Sequence, residues 1–316
     1  MHYSIHHLTK FRYSAPITES VMELRMQPCS DGAQRCLQFD LSLRPTAGLT
    51  SYRDHLNNVI HHFDIPSQHT QLIITAKGLV EMQPVPPLPQ CLRPSAWDEL
   101  DALVSGGDYW EMLMPSQFAR PTELLRDLAR DLDVRRRDDP LTVLRELNRA
   151  ISGAFEYVPQ STNVDSPIDD ALRTRKGVCQ DYSHIMIALG RELGVPCRYT
   201  SGYLFHRAEY NDRSAQDATH AWVEAFLPEL GWVGFDPTNN LLAGERHIRV
   251  AVGRDYADVP PTRGVFKGSA DTELTVAVQV KPADEPTSAE AMQQMSAFSQ
   301  SAEQEQRQQQ VQQQQQ

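Results

Sequence analysis

Five cysteines are spread over 316 residues, and one of them, Cys179, stands in "GVCQDYSHIMIALGRELGVP", where a loop turns into an amphipathic run. Gly177 permits a tight turn. Tyr182, Ile185, Met186, Leu189 and Leu193 then recur at three- and four-residue intervals, which predicts a helix with one buried stripe, stopped by Gly194 and Pro196. In the first turn of that helix a thiol meets N–H groups that have no carbonyl partner, at the positive end of the helix dipole. Those groups favour a thiolate over a thiol and can also receive the oxyanion of a tetrahedral intermediate. Cys179 thus has the setting of a nucleophile, although a lone thiol is as readily a packed core residue.

A thiol nucleophile needs a base, and the base needs a partner that orients it. Both are available in "THAWVEAFLPELGWVGFDP". "HAWVEAFL" reads as a strand with His220, Trp222, Glu224 and Phe226 on one face and Val223, Ala225 and Leu227 on the other. "GWVGFDP" is the next strand, and the short "PELG" connection makes the two an antiparallel hairpin. That hairpin brings Asp236, at the end of its second strand, beside His220 at the start of its first. Singly, such a histidine is more often packed and an Asp before Pro more often a turn former. The convergence of all three on one helix start and two strand ends favours the chemical reading.

Rival uses of these residue types are weaker. Cys179 and His184 are five residues apart, about 140° around a helix, so they do not converge on a metal. The cysteines are irregularly spaced with no CxxC pair, which supports neither a structural zinc nor a disulfide framework. Cys197, in the alternating "PCRYTSGYLF", reads as sheet packing. The pairs His6-His7 and His61-His62 lie on strand-like runs, where neighbours face opposite ways, so packing is preferred to metal ligation. No metal and no cofactor are expected.

The elements that must position the three residues follow from the rest of the chain. Residues 1–85 carry short alternating runs such as "YSIHHLTKFRY", "LQFDLSLRP", "VIHHFDIP" and "TQLIITAKGLVEM", which predict a β-rich, sandwich-like domain. Residues 86–120 read as a proline-rich linker and connecting segment. Residues 121–281 read as the α+β core, opened by two amphipathic helices at "PTELLRDLARDL" and "DPLTVLRELNRAISGAFEY". Residues 282–316 form a glutamine-rich tail with too few large apolar residues to fold, expected to be disordered. With 41 acidic against 30 basic residues the net charge is -11, which argues against a nucleic-acid partner. No apolar run approaches the roughly 18 residues of a membrane helix, and the N-terminus lacks a signal-peptide core. A cytoplasmic protein without a membrane partner is expected.

These motifs together resemble the transglutaminase-like superfamily, whose fold is papain-like, in its bacterial form with a β-rich N-terminal region. "LTKFRYSAPITESVMELRMQP" and "FDIPSQHTQLIITAKGLVEM" are similar to that region, and "HIRVAVGRDYADVPPTRGVFKG" with "ELTVAVQV" to the usual C-terminal completion. One departure is "HLNN" after "YRD", where a Phe-Gly-Asn type of turn would be usual. The resemblance implies Cys179 as nucleophile, His220 as general base and acid, and Asp236 as the residue that orients the imidazole. It also marks Tyr157, in "FEYVPQSTNVDSP", and Gln180 as candidates to line the site or assist the oxyanion. The implied reaction is acyl transfer from a peptide or protein amide through a thioester, with hydrolysis favoured. The alternatives are a protein-glutamine gamma-glutamyltransferase and a non-catalytic binding module. No D-x-D-x-D-G loop is present, so calcium activation is not expected.

Overall fold

The computed structural model describes residues 1–207, 209 and 212–284. From residue 285 on, the glutamine-rich tail lies outside the described residues. The chain opens with β1 (His2–Ile17), β2 (Glu19–Leu24), β3 (Gln34–Arg44), β4 (Thr50–Arg53), β5 (Val59–Ile65) and β6 (His69–Met82). Helices follow: α1 (Ala96–Ser105), α2 (Glu123–Asp131) and α3 (Pro140–Ala154). Next come β7 (Glu156–Tyr157), α4 (Ile168–Thr174), β8 (Lys176–Gly177) and α5 (Cys179–Glu192). The core strands are β9 (Cys197–Leu204), β10 (His220–Leu227), β11 (Gly231–Asp236), β12 (Leu241–Leu242) and β13 (His247–Gly253), and the chain returns through β14 (Thr262–Lys267) and β15 (Thr272–Ala283).

The N-terminal strands form two four-stranded antiparallel sheets, ordered β15-β1-β6-β3 and β14-β2-β5-β4. Ile17, Leu24, Phe63, Leu72 and Ile74 are buried together between them. The last two strands therefore complete the N-terminal sheets, whereas the sequence reading carried the core through residue 281. Strand β2 is hard to foresee because it turns Ser20 inward and leaves Val21 exposed, against the usual apolar alternation. The first histidine doublet splits as strand neighbours should: His7 is buried and hydrogen-bonded to the Tyr203 hydroxyl, and His6 is exposed, whereas His61 and His62 are both half-buried.

Residues 86–120 are more structured than a linker, since they carry α1 and a short 3-10 turn at Trp110–Met112. Arg136 holds α1 through Asp101, and Arg191 on α5 holds the end of the segment. The buried Arg191 guanidinium donates to the carbonyls of Met112, Met114, Cys197 and Arg254 and to the Ser116 hydroxyl, which ties the segment to the core. No helix among the described residues is long and apolar enough to cross a membrane.

The core sheet is antiparallel, ordered β12-β11-β10-β9-β13, with α5 packed on β9 and β10. Helix α5 is buried all round from Gln180 to Arg191 rather than on one stripe, because α3 and α4 cover the side that the sheet leaves open. Several of its polar side chains find partners within the fold, although the Tyr182 hydroxyl has none in hydrogen-bond geometry. Ser183 donates to the Cys179 carbonyl, and His184 accepts from the Tyr256 N–H. The outer edge of β13 is closed by two amide side chains from the N-terminal domain. Gln34 pairs with the N–H and carbonyl of Arg249, and Asn58 with those of Val252. An otherwise open sheet edge becomes the seam between the two domains.

Gly202, in the middle of β9, lies between His220 on β10 and Arg249 on β13. A Cβ there would come within 2.2 Å of the Ile248 carbonyl and 2.7 Å of the Trp222 ring. Backbone and indole cannot both yield, so Gly202→Ala should cost about 3 kcal/mol or more, the upper range for overpacking. Urea unfolding checks it, and a loss below about 1 kcal/mol would show that the indole does not cross β9 so closely.

Candidate active site

The approach to Cys179 is built by two short strands. Tyr157 on β7 pairs in parallel with Gly177 on β8, and the chain then enters α5. A Cβ on Gly177 would stand 2.9 Å from the Asp181 Cβ, so glycine is what lets Asp181 fold back over the helix start. Its Oδ2 accepts from the Val178 N–H at 2.8 Å and from the Thr162 hydroxyl at 2.6 Å. This fixes the first turn of α5, with Cys179 as its first residue and partly exposed.

Across from it, His220 opens β10 and Asp236 closes β11, joined by a three-residue turn between Leu227 and Gly231. His220 Nε2 is 2.8 Å from Asp236 Oδ2. The carboxylate is wrapped by further donors: Oδ1 accepts from the N–H groups of Thr238 and Asn239, and Oδ2 from the Asn239 side chain and from His247 Nε2 at 3.1 Å. Burial would raise the Asp236 carboxyl, but the two imidazoles hold it well below the usual carboxylate range. Burial pulls His220 down, yet the Asp236 carboxylate and then Cys179 override it and push its pKa up to about 10. The other ring nitrogen, Nδ1, is buried and has no partner in hydrogen-bond geometry. Cys179 thus raises the basicity of the His220 ring through hydrogen bonding and charge, from a position short of ideal hydrogen-bond geometry.

His247 is the residue the sequence reading missed. It opens β13, which is separated from β10 by β9, so no local hairpin links it to Asp236. The available signal was its place at the head of "HIRVAV", an alternating run that begins with histidine as β10 does. The ligand atoms of His220, Asp236 and His247 lie within 4.8 Å of one another, a set that could hold a metal by residue type. Every one of its short contacts is already a hydrogen bond to a carboxylate saturated by five N–H donors, so hydrogen bonding accounts for the convergence.

The remaining candidates take distinct places. Tyr157 is half-buried, and its pKa is raised by burial and next by Cys179. Its oxygen accepts from the Ala215 N–H at 3.2 Å, which leaves its own O–H free to donate. Gln180 is buried, and its amide donates to the Val164 carbonyl at 2.9 Å, so its side chain braces the preceding loop. Cys197 is buried, with its pKa pushed up to about 12 by desolvation, as a packing thiol should be. His184 stacks on Phe118 inside the core, away from any metal-binding geometry with Cys179.

Residues 126–237 match the model of the transglutaminase-like superfamily, and residues 3–81 match that of the bacterial transglutaminase-like N-terminal region. An uncharacterized protein of Mycobacterium leprae is 30% identical over 275 residues, covering 87% of this chain and 96% of that protein. The chain belongs to the transglutaminase-like superfamily. The same fold is seen in a Cytophaga hutchinsonii structure named as a candidate cysteine protease, with a TM-score of 0.69 at 20% identity over 90% of this chain and 92% of that one. A Pseudomonas aeruginosa protein named protein-glutamine gamma-glutamyltransferase is 31% identical over 157 residues, which is 48% of this chain and 22% of that protein. Membership in the superfamily supports thiol and acyl-transfer chemistry in general.

Proposed function

We propose that the protein is a thiol acyl-transfer enzyme acting on peptide or protein amides, with Cys179 as nucleophile, His220 as base and acid, and Asp236 as its anchor. One observation carries this reading. His220 is bonded to Asp236 through Nε2, while Nδ1 is left buried and unpartnered on a ring that Cys179 influences. A histidine so placed has one nitrogen committed and one available to exchange a proton with sulfur. With its pKa near 10, the ring is an imidazolium at neutral pH, which favours a thiolate partner.

The steps follow from these roles. The Cys179 thiolate attacks the amide carbon, and the carbonyl π electrons move to oxygen. The first-turn N–H groups of Cys179 and Gln180, which have no carbonyl one turn back to bond, face this developing charge. Tyr157, whose pKa Cys179 helps to raise and whose O–H is free to donate, is the side chain we assign to join them. Each such donor is worth on the order of 3 kcal/mol. When the C–N bond breaks, imidazolium Nδ1–H gives its proton to the departing amine and leaves a thioester. His220 then takes a proton from the attacking water or amine, and the thiolate leaves.

Water is the preferred acceptor, because it reaches any exposed thioester whereas transfer requires a held amine. The similarity to the Pseudomonas aeruginosa glutamyltransferase favours the second reading, in which an amine attacks. Five unpaired cysteines suit a reducing compartment such as the cytoplasm. The test incubates wild type and Cys179→Ala with a peptide library, with and without a primary amine. Cys179-dependent release of ammonia or peptide without amine incorporation supports hydrolysis, and a Cys179-dependent amine adduct supports transfer. Equal turnover by both proteins would remove Cys179 from the chemistry, and no turnover by either would favour a binding module.

A further inference from the structure

Asp236 sets the basicity of His220, so whatever shares the Asp236 charge also sets it. His247 does so from a rigid position. Its Nδ1 accepts the Gly244 N–H at 3.3 Å, so the proton of the neutral ring sits on Nε2, the atom 3.1 Å from Asp236 Oδ2. The Trp222 indole stands edge-on to the ring at 5.2 Å and 74°. Gln34 and Asn58 pin the strand that carries it. Burial lowers the pKa of His247, which keeps it a neutral donor.

We propose that His247 is a positioning residue of the acyl-transfer centre: its neutral Nε2–H holds the Asp236 carboxylate toward His220 and takes part of its charge. His220 is then less basic than Asp236 alone would make it, and gives up its proton to a leaving amine more readily. The proposal rests on the triad reading above. The groups acting on His220 are Cys179 from α5, Asp236 from β11, His247 from β13 and His206 from the segment after β9, with Arg246 acting on both of the latter histidines. Without His247, three N–H donors from Thr238 and Asn239 still hold the carboxylate in place. The charge effect therefore dominates, and its sign is upward.

The experiment follows iodoacetamide alkylation of Cys179 by mass spectrometry across pH in the full chain, in wild type, His247→Phe and His247→Gln. The readout is the alkaline step at which His220 loses its proton. His247→Phe should move that step up by about half to one pH unit, the effect of one charge-sharing hydrogen bond. His247→Gln, which keeps an N–H at the same reach, should restore the wild-type midpoint. An unmoved step in His247→Phe, or a shifted one in His247→Gln, overturns the proposal. A second measurement needs no variant: 15N NMR of the wild-type imidazole should find His247 neutral with its proton on Nε2 near pH 7, and a charged ring or an Nδ1–H tautomer overturns the proposal as well. A wild-type profile with no alkaline step would instead count against the nucleophile assignment, and the tautomer would still decide the role of His247.

Discussion

Replacing Cys179 with alanine should lower amide turnover by about 10⁴-fold or more, the usual effect of removing a covalent nucleophile, while leaving the fold intact. The structural side of that expectation comes from its position. The side chain is partly exposed at the first residue of α5, and alanine is a good helix former there. Stability should change by less than about 1 kcal/mol. A packing thiol would give the reverse pattern, lost stability with turnover retained, as expected for the buried Cys197. Parallel assays of turnover and urea unfolding separate the two roles for Cys179.

Asp236→Ala should lose both activity and stability. The carboxylate is fully buried and accepts hydrogen bonds from two imidazoles, one amide side chain and two backbone N–H groups. Removing it orphans these donors and leaves an imidazolium without its anion, which should cost about 3–5 kcal/mol. Turnover should fall by about 10⁴-fold as His220 loses its orientation. The pH dependence has a definite sign. The folded pKa of Asp236 is depressed, so its stabilisation is complete above the ordinary carboxylate value and is lost as pH falls through the lower folded value. His220 is the same interaction seen from its other end. Its pKa is raised from 6.5 to about 10, so the stabilisation is complete below 6.5 and is lost as pH rises toward 10. Wild-type stability should therefore decline between pH 6.5 and 10, a decline absent from Asp236→Ala. A flat wild-type profile over that interval would mean that the His220–Asp236 pair is not ionic.

The parts of the site legible in the sequence are those set by local rules. A glycine before an amphipathic run marks the start of α5, and a short turn between two alternating strands fixes where His220 and Asp236 meet. The role of His247 is not set by local rules, because its approach to Asp236 depends on the registers of β13 against β9 and of β9 against β10, two pairings that no local pattern encodes. The return of β14 and β15 to the N-terminal sheets is long-range in the same way, since β15 pairs with β1 from the far end of the chain. The stripe expected on α5 failed for a related reason. A helix enclosed by other elements on every side buries its polar residues too, provided each finds a partner, as Ser183, His184 and Arg191 do.

The most direct test is the alkylation rate of Cys179 relative to Cys91 at pH 6 in the folded protein. Cys91 is exposed and Cys179 only partly so, which makes Cys91 a demanding reference: accessibility alone would let it react first. A thiolate held by the His220 imidazolium should instead make Cys179 the faster of the two, with the advantage lost in His220→Ala. Faster labelling of Cys91 in the wild type, or a Cys179 rate indifferent to His220, would contradict the pairing of this sulfur with this imidazole.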